Sequence, residues 1–597
     1  MASLGLRRPR QRRLGAPIVR LPLPLPPATA RVVNELRDSG RRWSWKLIAV
    51  LGILGLLIVG PVVIMLVMSF QVQEFGHPVQ WDVTSWISVV ERPRFWVAAW
   101  NTLSLGFIRQ VLAIVIGVWM AWLIARTDLP LGRLFEFSCW IAVFLPTLTI
   151  TLGWIMVLAP KTGVLNQLLM LLPFVDKPPF DIYSSAGIIW VSLLASSLPI
   201  KVMLLVPAFR NLDAALEEAS TSAGASTLRT FRHIIIPVMA PALLVAFVLG
   251  MIRALESFEV ELILGQRAGI EVIGTTIYRY ANAGPPNYSG ASVVGVLTVL
   301  FFVPFVVWQQ RYTGRRSYTT MTGRMSARRR ALGRWKWPAF GLMAFVVALM
   351  TVFPIAMVTL GTFMKRFGHF TIPDPWTIDN WSTVLGSRQL SSGLGNTLIL
   401  ASSTALIAVV AFSILAYVIV NTRLRGRQLL DFFVWLPSMM PGVVVSLAYV
   451  ILFLSVPFLR PFYGTLFILL VVTGLATITV STQMVKSALR QLGSELEEGS
   501  RSAGATWVST MRRIVLPLIA PTIAVVGMLA FSNAARATGS VALLSNSYNR
   551  PLSVYQLNLM ADDNLETASV VGVIILAITF GVGLVAILTA FRTRGET

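Results

Sequence analysis

The chain is predicted to be an all-α polytopic membrane protein, with about 12 transmembrane helices in two parallel six-helix repeats. Composition, the spacing of uncharged runs and an internal duplication predict it. Hydrophobic residues make up 55% of the 597 residues and charged residues 13%, and the mean hydropathy is +0.72, far from the balance of a soluble domain. A helix needs roughly 20 apolar residues to cross about 30 Å of hydrocarbon, and about twelve runs of that kind occur.

In chain order, residues 1–45 form a basic tail opened by Arg7, Arg8, Arg10, Arg12 and Arg13. The run 46–70 is too extended for a typical cleaved signal peptide and is expected to be the first span. Further spans are expected at 98–125, 135–158, 187–209, 234–255 and 290–310, closing a first repeat over 46–310. A basic linker, 311–336, leads to a second repeat over 337–592, with spans at 337–364, 393–420, 430–455, 465–485, 514–536 and 567–591. Arg126, Arg133, Arg423, Arg425 and Arg427 follow spans two and eight, so the positive-inside rule puts those connections, and both termini, in the cytoplasm of a bacterium bounded by its inner membrane. The formal charge of +24 sits beside apolar spans, which suits anchoring to the inner leaflet of the bilayer better than nucleic acid. Cys139, the single cysteine, excludes an intrachain disulfide.

The duplication is read inside the one sequence. At an offset of 295, Trp81, Trp86, Val89, Asn101, Thr102 and Leu103 match Trp376, Trp381, Val384, Asn396, Thr397 and Leu398. At an offset of 280, residues 217–241 match 497–521 at thirteen of twenty-five positions. Ala291-Ser-Val-Val-Gly-Val296 recurs as Ala568-Ser-Val-Val-Gly-Val573. Two halves with an even number of spans each share one orientation, which places a pathway between them.

The best-matched block is hydrophilic and joins spans four and five of each half, in loops 211–233 and 491–513. It reads Glu217-Glu-Ala-Ser-Thr-Ser-Ala-Gly224 running to Pro237, and Glu497-Glu-Gly-Ser-Arg-Ser-Ala-Gly504 running to Pro517. This predicts a short helix, a break and a second helix entering the membrane. Ser494 with Glu497 has the form of a capping box, Gly224 and Gly504 suit a left-handed helix end, and Ser226 and Thr506 suit the next N-cap. Capped, solvated helix ends are the plainer account of the same residues.

The block resembles the Glu-Ala-Ala loop of permease subunits of binding-protein-dependent ATP-binding cassette (ABC) importers, departing from it at Ala219-Ser220, Ile236 and Gly499-Ser500. That resemblance implies the type I importer permease fold and a coupling helix that docks in a groove of an ATPase. It assigns Glu217, Glu218, Gly224, Glu497, Glu498 and Gly504 to ATPase coupling. It further implies two copies of an ATPase subunit, which bind ATP and magnesium, and an extracytoplasmic binding protein docking on loops such as 71–97 and 365–392. No G-x-x-x-x-G-K-[ST] motif is present, so ATP hydrolysis is expected from separate subunits. His77, His233 and His369 are scattered, with no metal-ligand spacing and no adjacent nucleophile, so no catalytic residue, metal site or cofactor is assigned.

A secondary carrier of the major facilitator type also has twelve spans in two parallel halves. Residues 126–133 resemble its loop motif only loosely, and Arg109 and Lys201 are the main ionisable residues inside spans. A membrane scaffold needs no duplicated elbow. The fused halves, with Arg253-Ala-Leu-Glu-Ser-Phe-Glu-Val260 and Gly269-Ile-Glu-Val-Ile-Gly-Thr-Thr-Ile-Tyr278, resemble ferric-iron permeases, a group similar to permeases for thiamine, phosphonates, polyamines and sugar phosphates. Fe(III) or a ferric complex is the expected cargo. Glu256, Glu259 and Glu261 are expected as an acidic cluster near the outer mouth, with Glu256 opposing Arg536 across the pseudo-axis; loop charges at a helix end are the plainer account.

Overall fold

The computed structural model describes residues 45–72, 80–314, 330–422, 425–492 and 495–595. The basic tail up to residue 44, linker residues 315–329, His77, Arg423 and the capping-box Ser494 lie outside them. In chain order the first half forms α1 (Ile48–Met68), a ribbon of β1 (Gln71–Val72) and β2 (Gln80–Trp81), α2 (Thr84–Val90), α3 (Pro93–Arg126), α4 (Gly132–Phe144), α5 (Thr147–Leu158), α6 (Ser185–Arg210), α7 (Ala214–Ser222), α8 (Leu228–Leu255), α9 (Ile273–Ala281) and α10 (Tyr288–Gly314). The second forms α11 (Gly333–Gly361), α12 (Asp379–Leu385), α13 (Arg388–Asn421), α14 (Arg427–Ser438), α15 (Gly442–Ser455), α16 (Leu466–Leu492), α17 (Glu495–Ser502), α18 (Trp507–Ala535), α19 (Leu552–Ala561) and α20 (Leu565–Gly595).

Among the described residues nine helices are long and apolar enough to cross a membrane, and the bent pairs α4/α5 and α14/α15 raise the total to eleven. Helices are the form the bilayer selects, because each satisfies its own backbone polar groups. Apolar side chains that stay exposed, such as Ile53, Leu56, Val115, Leu406 and Ile414, lie on single spans, where lipid is their solvent.

The expected third and ninth spans are not straight: each turns through 104°. Pro146 and Pro441 cause the breaks. A proline ring drives the preceding residue out of the helical region, and Leu145 (ψ 139°) and Met440 (ψ 126°) are extended.

The first span of each half packs on the other half. Pro61 in α1 leaves the Leu57 carbonyl without its helical donor, and Tyr449 of α15 supplies one, its hydroxyl donating to Leu57 O at 2.6 Å. Span α11 crosses α5 so closely that a Cβ on Gly153 would strike the Pro354 backbone. The repeated Asn-Thr pair also has a shared task. Asn101 donates to Glu271 O (2.9 Å) and Asn396 to Tyr548 O (3.1 Å), while Thr102 and Thr397 accept the backbone N–H of Ile273 (2.9 Å) and Leu552 (2.8 Å). Helices α9 and α19 are thereby pinned to α3 and α13.

Candidate functional site: paired elbows and the charged centre

The two elbows have the same local geometry. Helices α7 and α17 end at Gly224 (φ +79°) and Gly504 (φ +80°), conformations that side chains with a Cβ rarely adopt. Ala225 N–H returns to Ser220 O and Ala505 N–H to Ser500 O, both at 3.1 Å. Beyond the turn, Ser226 accepts Arg229 N–H (3.4 Å) and Thr506 accepts Ser509 N–H (3.3 Å), starting the next helix. The helices then pass through one π turn each, Phe231–Ile235 and Met511–Val515, before Pro237 and Pro517.

A hydroxyl bridge closes each angle: Ser220 lies 2.8 Å from Thr230, and Ser500 lies 2.8 Å from Thr510. These serines are departures from the Glu-Ala-Ala pattern, and the bridge gives them a structural task. Ser500→Ala leaves Thr510 one partner fewer and is expected to cost about 1 kcal/mol. Faster hydrogen exchange confined to residues 499–510 would register it; unchanged exchange would count against the bridge.

Glu217 and Glu497 turn inward onto the end of the second span of their own half. Arg126 places Nε and Nη2 on Glu217 Oε1 (3.0 and 2.7 Å) and Nη1 on Leu212 O (3.2 Å). At the equivalent position Asn421 donates to Glu497 Oε1 (2.6 Å), beside Tyr417, whose hydroxyl accepts the Trp507 indole N–H (2.9 Å). Glu218 and Glu498 are exposed, as are the matched apolar pairs Leu216/Leu496 and Leu228/Val508. The elbows therefore present an outward face mixing carboxylates with apolar side chains, on a base fixed from within.

Glu256, Glu259 and Glu261 each take a different arginine partner. Glu261 is buried against Arg109 (3.5 Å), which lies midway along α3, and accepts the Ser257 hydroxyl at 2.7 Å. Glu256 pairs with Arg253 (3.2 Å) rather than Arg536. Glu259 is the residue that faces Arg536, with Thr538 and the Gly539 N–H beside it. Each acid has an arginine because a lone carboxylate inside the bilayer is costly. Lys201 is also buried, its ammonium beside Gln110 in the notch left by Gly250.

The bends and the ends of α8 and α18 meet across the halves. Arg536 donates to Val143 O (2.6 Å) and Leu145 O (3.1 Å), carbonyls freed at the α4/α5 bend. The equivalent α14/α15 bend, at Ser438 and Met440, instead borders a cavity of about 140 Å³, which Arg253 and Glu256 also line. Glu256 occupies the position matching Arg536 and has no donor with which to fill it.

Sequence reasoning missed Arg126 and Asn421 as partners of the elbow glutamates. It also missed Glu136–Arg210 (2.5 Å) and Asp431–Lys486 (2.5 Å), ion pairs between the third and fourth spans of each half. The 295 offset aligns Glu136 with Asp431, so an acid recurring inside an apolar run was the available signal.

Residues 113–317 and 410–594 match the family described as binding-protein-dependent transport system inner membrane component. The ferric transport system permease protein FbpB of Actinobacillus pleuropneumoniae is 25% identical over 488 residues, covering 80% of this chain and 68% of that protein. The spermidine/putrescine transport system permease protein PotB of Escherichia coli is 25% identical over 217 residues, 36% of this chain and 78% of its own length. Among solved structures, a bacterial ABC transporter involved in the import of the acidic polysaccharide alginate has a TM-score of 0.39 at 19% identity, over 48% of this chain and 99% of that one. The matched segments fall one in each half and each contains an elbow, so the chain belongs to the binding-protein-dependent transport system inner membrane components, as a two-repeat, non-catalytic ABC-importer permease subunit that works with an ATPase and an extracytoplasmic binding protein.

Proposed function

We propose that this chain forms the whole translocation pathway of its importer, with 46–310 and 337–592 as the two repeats and one ATPase subunit docked on each elbow. The observation that carries this reading is the pair of elbows, alike in turn, cap and hydroxyl bridge, each with exposed apolar and acidic side chains. Glu217 and Glu497 hold the levers to their bundles, Glu218 and Glu498 face the ATPase, and Gly224 and Gly504 set the angle. Closure of the ATPase pair would draw the elbows together and rock the halves between two access states. The elbows and both termini are cytoplasmic in this reading, and the membrane is the bacterial inner membrane.

The cargo is Fe(III) or a ferric complex. Support comes from the ferric transport permease that the chain resembles over 80% of its length. The pathway passes Glu256, Glu259, Glu261 and Arg536, and the space beside Arg253 and Glu256 is where cargo would pause. Thiamine, phosphonate, polyamine and sugar phosphate are the alternatives.

Proteoliposomes holding the chain, its ATPase and the cargo-loaded binding protein test both levels. Radioactive iron should enter with ATP and continue when a protonophore collapses the proton gradient. Uptake that followed the gradient would overturn the importer reading, whereas ATP-driven uptake of an iron-free solute found on the binding protein would overturn only the cargo.

A further inference from the structure

The first elbow is tied beyond its own half, through the few residues after α3. Arg126, whose side chain grips Glu217, also accepts through its backbone: Arg330 N–H donates to Arg126 O (2.8 Å), and Asp128 N–H donates to Arg330 O (3.0 Å). Thr127 and Arg330 thus form a parallel bridge, a stretch of extended pairing between a loop of the first half and the end of the linker. One residue on, Asp128 Oδ1 accepts Leu332 N–H (2.8 Å) and Oδ2 lies 3.4 Å from Lys336 Nζ. The Leu332 N–H, with Lys336 beside it, holds the Asp128 carboxyl below the usual carboxylate range.

Lys336 lies in the first turn of α11, the first span of the second half. A continuous series of hydrogen bonds therefore runs from elbow Glu217, through Arg126 and Asp128, to the start of a helix in the other half. That helix packs on α5 of the first half. In the second half Asn421 donates to Glu497 Oε1 (2.6 Å) and the Tyr417 hydroxyl to Oε2 (3.4 Å), while Arg427 turns back to Thr422 O (2.8 Å), within its own loop.

We propose that Asp128 is a positioning residue: it makes the end of the linker a strut that moves the first elbow together with α11. The proposal rests on the elbows being the ATPase-driven levers. Its physical content is rigidity. An elbow tied by three guanidinium bonds, a parallel bridge and a two-point carboxylate contact has few ways to move without carrying α11 with it. Fusion of the repeats then does more than keep two halves in equal number, because the join delivers one ATPase's stroke to both.

Distances between spin labels in the full importer, with its ATPase and binding protein, test this. The one native cysteine, Cys139, is buried, so labels go to introduced cysteines. The S222C/R334C pair reports elbow one against the start of α11, and S502C/R334C reports elbow two against the same point. On trapping with ATP and vanadate, the first separation should stay constant while the second changes. In D128A the first separation should change as well, with loss of uptake per ATP hydrolysed. D128N keeps an oxygen for the Leu332 amide and should restore the constant separation. A first separation that already varies with Asp128 present, or that stays constant in D128A, overturns the strut. If neither separation responds to nucleotide, the elbows are not levers, and the strut falls with them. Should D128A fail to assemble, the K336A variant removes only the ammonium contact, and S222C/R334C in that background must show a broader distribution than the parent or the proposal fails.

Discussion

Replacing Gly504 with valine is expected to leave the protein inserted and folded while cutting uptake by about tenfold or more, with ATP hydrolysis continuing. Gly504 sits at φ +80°, and an added Cβ would meet no atom within 4 Å. Space is not the constraint there. A β-branched residue in the left-handed region costs about 1–2 kcal/mol or more through its own backbone, and a penalty of about 1.4 kcal/mol lowers the share of correctly angled elbows tenfold. The elbow relaxes by changing its angle to α18, and the ATPase then moves a lever aimed elsewhere. Gly504→Asn is the control, because asparagine tolerates the left-handed region and should retain most uptake. The ratio of cargo moved to ATP split, measured in proteoliposomes, is the quantity to follow. Wild-type coupling in a folded G504V variant would remove the elbow from the mechanism.

Arg109→Ala is expected to cause the largest loss of stability among single changes in the charged centre. Arg109 and Glu261 have side chains 5% and 4% exposed, with Arg109 midway along the span α3, and the Ser257 hydroxyl bonds to both. Removing the arginine leaves a buried carboxylate with a hydroxyl as its remaining partner, at a cost of about 3–5 kcal/mol. Whole domains are stable by only about 5–15 kcal/mol, so the expected result is little folded protein in the membrane. R109M with E261Q removes both charges, keeps an amide for Ser257, and should recover most of the loss. Thermal unfolding in detergent of the single and double variants gives the coupling. An R109A protein as stable as the parent would show that the pair contributes nothing.

The same residues divide what can be read locally from what cannot. Glycine at 224 and 504, followed two residues later by serine or threonine, announces a left-handed helix end and a new N-cap, because both are settled within one turn of chain. Arg126 was legible as a cytoplasmic charge but not as the partner of Glu217, 91 residues away, since no local rule sets which acid a buried arginine meets. The acids after α8 show the converse. They stand within six residues of one another in the chain, yet each meets a different arginine.

By itself, then, the sequence determined membrane residence, the doubling and the form of the elbows. Hydrocarbon demands long apolar helices whatever their neighbours, a repeat is visible without knowing the fold, and capping is local. Tertiary structure decided that Pro146 and Pro441 break a span through 104° where Pro61 leaves one unbroken, with its orphaned carbonyl met by Tyr449. It also decided that the first span of each half packs on the other, and that the end of the linker is tied to the first elbow. These outcomes depend on which surfaces reach each other once the helices pack, and side-chain contacts between distant segments, rather than local backbone preference, supply the energy that selects them.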